Sequence, residues 1–174
     1  MIRQRDIAVA SFVVLAALAR LLPHPWNFGP VGAMALFGGA HFRSRYGAYG
    51  FPLAALALSD AILGFYPNLW LTYASFCIFV WLGTLLRNSR NPLSIASAAL
   101  AGSVSFFIIT NFGVWASQSL YPKTWAGLQS CYIAGLPFFQ NALLGDAFFT
   151  GILFGSFALA ERRFPILQGR PASV

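Results

Sequence analysis

Eight polar side chains stand in stretches that are otherwise apolar. Arg20, His24 and Asn27 lie in RLLPHPWNFGP, Asp60 in ALALSDAILG, Asn111 in ITNFGVW, and Gln140, Asn141 and Asp146 in FFQNALLGD. A guanidinium, an imidazole, two carboxylates and four amides can hydrogen-bond a polar solute or one another, and Trp115 beside Asn111 adds a ring face and an indole donor. None of this is a catalytic constellation. The chain has no HExxH, GxSxG or phosphate-binding GxxxxGK[ST] motif, so it is not read as an enzyme. Its two cysteines, Cys77 and Cys131, lack CxxC spacing and fall in different kinds of segment, which excludes a zinc ribbon and a disulfide scaffold, and no cofactor is expected.

The elements that must position these groups follow from composition. The 174 residues are 58% hydrophobic and 9% charged, with a mean hydropathy of +0.68, against about a quarter charged residues in soluble domains. The chain reads as an all-α polytopic membrane protein, a single domain over 1–174. Proline, glycine and charge punctuation divide it into six spans, at about 7–22, 29–42, 51–66, 69–86, 93–115 and 140–160. The basic head and apolar run at the start have the form of a signal peptide, but the apolar register resumes at once, so the segment is expected to remain as the first span. The semi-polar segment 124–139, interrupted by Pro137, reads as re-entrant or interfacial. The second span is short of the ~30 Å hydrocarbon core at 1.5 Å per residue and must be covered by its neighbours.

Charge orients the bundle. With the N-terminus inside, Arg3, Arg5, Arg43, Arg45, Arg87, Arg90, Arg162, Arg163 and Arg170 fall on the cytoplasmic side, nine of the eleven basic residues, leaving Arg20 and Lys123 opposite. The net charge of +7 is therefore read as a topology signal for both termini in, and not as a nucleic-acid footprint. In this topology all eight polar groups fall in the outer half or outer loops, whereas the inner halves offer little beyond serine, threonine and small residues. His24 and His41 are on opposite sides and cannot share a metal.

An ionised carboxylate in hydrocarbon costs at least ~2.5 kcal/mol, so Asp60 and Asp146 need partners, with Arg20 the obvious cation. Their common depth points to an outward-facing polar cup lidded by the aromatic loops PHPWNFGP, GFYPNLW and QSLYPKTWAG. The candidate ligand-binding residues are Arg20, His24, Asn27, Asp60, Asn111, Trp115, Gln140, Asn141 and Asp146. Small residues form further faces: Gly32, Ala35 and Gly39 on the second span, Ser94, Ala98 and Gly102 on the fifth, Gly151 and Gly155 on the sixth. Most such faces serve internal packing. The smooth second span is also the candidate partner interface.

The runs RLLPHPWNFGPVGAMALFGGAHF, PLAALALSDAILGFY and 110–146 resemble an uncharacterised bacterial membrane family classified as a domain of unknown function. More distantly, the six-span plan with an alanine- and glycine-rich early helix is similar to the S-components of energy-coupling factor vitamin transporters. That resemblance implies uptake of a small vitamin-like solute bound from the outer side, with coupling and ATPase subunits as partners, in the bacterial inner membrane. No metal site is expected: Cys77 and Cys131 are read as packing residues, although by analogy with cobalamin-transporting relatives either could imitate a cobalt ligand. The rival class is a non-catalytic accessory subunit of a respiratory or photosynthetic complex. A reporter active only in the cytoplasm is expected to work when fused to either terminus and to fail when inserted near Tyr66 or Lys123; activity at either insertion would overturn the orientation.

Overall fold

The computed structural model describes residues 4–89 and 91–168. Arg3, Arg90 and Arg170, three of the charges that orient the chain, lie outside the described residues. Among these residues there are six helices and no strand: α1 (Gln4–Ala19), α2 (Val31–His41), α3 (Arg45–Leu63), α4 (Leu69–Leu85), α5 (Pro92–Ser117) and α6 (Trp125–Arg163), followed by a 3-10 turn, Pro165–Leu167. Helices α3, α5 and α6 are long and apolar enough to cross a membrane. Polar caps set several starts. The Ser44 hydroxyl accepts from the Tyr46 amide at 3.2 Å, Asn91 from Leu93 at 2.9 Å ahead of Pro92, and Thr124 from Gly127 at 3.2 Å.

The helices run up and down, so the bundle has two ends. Arg5, His41, Arg87 and Glu161 gather at one, and Arg20, Asp60, Asn68 and Asn141 at the other. At the centre is α2. Its eleven residues rise about 16 Å, and a helix that is apolar all round and too short to span must be buried. It touches each of the other five helices, and eight of its residues are buried.

Glycine permits this enclosure. A Cβ on Gly39 would run into the Val80 carbonyl of α4, and one on Gly83 into the Leu36 carbonyl of α2, so these two backbones cross in near contact. Gly38 makes room for the ring of Pro52, which is fully buried against it. Aromatic rings fill the rest: Phe37 packs edge-on to Phe157 at 5.3 Å and stacks on Phe12 at 5.7 Å.

Three expectations are corrected. Gly32, Ala35 and Gly39 are buried among the chain's own helices and leave no face for a partner subunit, because closeness to α4 and α6 is what their small size serves. The third helix begins at Arg45, not near 51; Ser44 caps it, and Pro52 is accommodated inside it by Gly38. The segment 124–139 is not re-entrant but the first turns of a continuous α6, which Thr124 starts and α5 supports: Tyr132 donates to the Ile108 carbonyl at 2.8 Å, and Phe107 lies 4.7 Å from Phe139.

The α2–α4 crossing is directly testable. Gly39→Ala and Gly83→Ala are each expected to lower the thermal midpoint of detergent-purified protein, because overpacking costs about 1–3 kcal/mol. Gly50→Ala, where a Cβ meets open space on α3, is expected to leave it unchanged or raise it. Equal melts for all three would contradict the backbone contact.

Candidate functional site

The end of α1 places Arg20 against α3. Its Nη2 forms an ion pair with Asp60 Oδ1 at 2.6 Å and its Nη1 donates to Ser59 Oγ at 2.5 Å. From α4, the Tyr73 hydroxyl donates to Asp60 Oδ2 at 2.9 Å. Asp60 is wholly buried, so this carboxylate ties three helices together and fixes the guanidinium above it. The pairing expected from the sequence is present. Its role is to hold Arg20, since Arg20 lines a cavity and Asp60 does not.

That cavity measures about 600 Å³ and opens at the Arg20 end. Arg20, His24, Asn27, Thr72 and Asp146 are among its polar groups, and Phe76, Phe79 and Phe106 line it from α4 and α5. Trp26, 82% exposed, and Tyr66 line it from the loops. The α1–α2 loop is built to close over it. Asn27 takes a left-handed backbone (φ 62°), a conformation asparagine tolerates better than most residues. His24 makes ring-nitrogen contacts to the carbonyls of Pro25 at 3.0 Å and Arg20 at 3.1 Å, and Asn141 of α6 donates to the Trp26 carbonyl at 3.0 Å. Partial burial pushes the Tyr66 phenol above its ordinary pKa.

Asp146 closes the cup on the α6 side. Gly145 lets α6 approach Phe28 and Gly29 of the loop, where a Cβ would be too close. The next residue thereby reaches the start of α2. Asp146 accepts from Ser103 Oγ at 2.7 Å, and its Oδ1 occupies the space that a Gly32 side chain would need, beside the first turn of α2. Pro30, the residue before α2, provides no side-chain cap. The carboxyl group from α6 stands beside the orphan amides of that helix start instead.

The remaining sequence candidates separate from the cup. Asn111 lines an adjoining hollow of about 250 Å³ that shares Asn27, Tyr66 and Thr72 with it, and its amide donates to the Phe107 carbonyl of its own helix at 2.9 Å. Trp115 donates to Pro122 at 2.9 Å, while Lys123 bonds the Trp115 carbonyl and reaches Gln118 at 2.6 Å. These close the α5–α6 turn and line neither hollow. Gln140 is exposed and also lines neither. Cys131 donates weakly to the Asn111 carbonyl at 3.4 Å, Cys77 is half-buried in α4, and among the described residues no three His, Cys, Asp or Glu side chains gather as a metal site.

Sequence reasoning missed two sets of residues. The walls Phe76, Phe79 and Phe106 carry no signal that separates them from lipid-facing aromatics. At the opposite end, expected to be nearly featureless, Glu161 is buried and paired with Arg5 at 3.7 Å, and His41 lies among Phe37, Phe154 and Phe157. Arg5 donates to the His41 carbonyl and Arg87 to that of Gly39 at 3.2 Å, so both arginines serve the last carbonyls of α2. Their position beside apolar runs marked them only as topology signals.

Breaking the Arg20–Asp60 pair is expected to cost more than removing it. Asp60→Leu or Arg20→Met alone strands a buried charge, an effect of about 3–5 kcal/mol. The double variant is expected to melt above either single one, and a double variant at or below the additive loss would contradict a buried, mutually dependent pair.

No curated protein and no solved structure matches the chain. Over residues 1–167 it matches DUF6580, described as a family of unknown function, and with nearly its whole length covered the chain belongs to that family.

Proposed function

We propose that this chain is a solute-binding protein of the bacterial inner membrane that takes a small, ringed, vitamin-like molecule into the cup at its Arg20 end. The observation that carries the reading is the cup itself: about 600 Å³, within the roughly 300–1,000 Å³ of small-molecule sites, with aromatic walls and a few convergent polar groups. The positive-inside distribution turns this end outward. A ring seated between Trp26, Phe79 and Phe106 would present its polar edge to Arg20 and His24. An anionic or carbonyl-bearing edge suits that guanidinium best, because Asp60 and Ser59 occupy only part of its donor fork.

With α2 enclosed, a coupling or ATPase subunit, if uptake uses one, must dock on another surface. The exposed faces of α1, α3 and α6 carry large apolar side chains such as Leu15, Leu58, Ile62 and Leu159, which suit lipid or a membrane partner.

The test is thermal unfolding of the purified full chain against a panel of vitamins, their precursors and metal-containing cofactors. One chemical class is expected to raise the midpoint, since saturation at 100 times Kd adds about 2.7 kcal/mol. Trp26→Ala and His24→Ala, both in exposed positions, are expected to keep the unliganded midpoint and lose that shift. A flat panel would count against the reading, as would a shift that both variants retain.

A further inference from the structure

A second cavity lies between α5 and α6. It is a half-open groove of about 530 Å³, floored by Ala96 and Ala99 on one helix and by Gly151, Gly155 and Ala158 on the other. One end carries Ser103, Asp146 and Thr150. Asp146 is thus a wall common to groove and cup.

Two independent features show that the groove is unfinished by this chain. The first is its glycines. Gly32, Gly39, Gly83, Gly102, Gly135 and Gly145 each stand where a Cβ would collide with a neighbouring element, whereas at Gly151 and Gly155 it would meet open space. A helical glycine costs roughly 0.5–1 kcal/mol relative to alanine, and no packing within the chain requires these two. The second is Thr150. Its hydroxyl is buried, with the residue 5% exposed, and among the described residues it has no hydrogen-bond partner. Thr110 and Ser156 return their hydroxyls to the carbonyl four residues back. Thr150 does not, and it lines the groove.

The polar end also selects the occupant. Beside the glycines, α6 presents a ridge of Phe148, Ile152 and Leu159, all exposed and apolar. A second copy docking through this helix would press hydrocarbon onto Thr150 and Asp146. A phospholipid is excluded by depth: Thr150 lies about 18 Å along the helix from Arg162, at 1.5 Å per residue, near the middle of a ~30 Å core that a charged headgroup does not reach. What fits is a slim apolar body with one uncharged polar group.

We propose that the α5–α6 groove binds a membrane-dissolved amphiphile whose uncharged hydroxyl or amide head sits at Thr150 and Asp146, with its tail along Gly151 and Gly155 toward Pro92. The head gives the Thr150 hydroxyl its missing partner, with Asp146 alongside. Thr150, Gly151 and Gly155 do not line the cup, so this site stands or falls separately from the solute site.

The probes are a diazirine-tagged long-chain alcohol and the matched alkane without the hydroxyl, each incorporated with the full-length protein into lipid nanodiscs, with cross-linked residues mapped by mass spectrometry. The alcohol is expected to label groove residues roughly fivefold more than the alkane, about what one hydrogen bond supplies. Thr150→Val, which replaces an unpartnered hydroxyl by a methyl group, is expected to keep the melting midpoint and remove that preference. The Gly151→Leu, Gly155→Leu double variant is expected to fold and to lose groove labelling altogether. Equal labelling by alcohol and alkane, labelling spread evenly over α1 and α3, a preference that survives Thr150→Val, or a stable dimer cross-linked through α6 would each overturn the assignment.

Discussion

The structure turns on the two ends of one short buried helix. An apolar helix of eleven residues placed among five others leaves its first amides and last carbonyls without partners in the helix itself, and each is costly where it is buried unpaired. The chain answers with charge from other elements. Asp146 of α6 meets the amino end; Arg5 of α1 and Arg87, just after α4, meet the carboxyl end. The signs match the helix macrodipole at both ends. A carboxylate and two guanidiniums that would be expensive in hydrocarbon are thereby stabilised by the backbone they stabilise.

The cup inherits its floor from that arrangement. Asp146 is at the start of α2 because Gly145 lets α6 close on the α1–α2 loop, and the same loop carries His24, Trp26 and Asn27 over the cavity. Arg20 is fixed independently by Asp60, Ser59 and, through Asp60, Tyr73. An anchored guanidinium and an anchored acid therefore face one space between aromatic walls. Anchoring matters for recognition, since a guanidinium held by buried partners loses little further freedom when a solute binds.

The sequence made the class of fold and the number of helices legible, because apolar runs and their punctuation report directly on burial in lipid; of the residues it proposed for the cup, Arg20, His24, Asn27 and Asp146 line the cavity. It misjudged what local pattern cannot hold. Gly32, Ala35 and Gly39 looked like a free face, since small residues read the same whether a neighbouring helix belongs to this chain or to another. Pro137 suggested a break, yet α6 passes through it with α5 alongside. Arg5 and Arg87 were read as positive-inside markers, although they also serve α2 carbonyls. Glu161 was overlooked because its partner, Arg5, lies at the other end of the chain. Trp115 and Gln140 were placed in the cup by depth alone, and depth does not say which way a side chain on a helix points.

The central claim, that the cup at the Arg20 end is a solute site, is tested most directly by an experimental density map at side-chain resolution of the protein saturated with whichever compound stabilises it most. The account predicts compact, ring-sized density bounded by Trp26, Phe79 and Phe106, with a polar edge on Arg20. Density for that compound anywhere else on the protein, with the α1–α2 loop packed down into the cup, would contradict it.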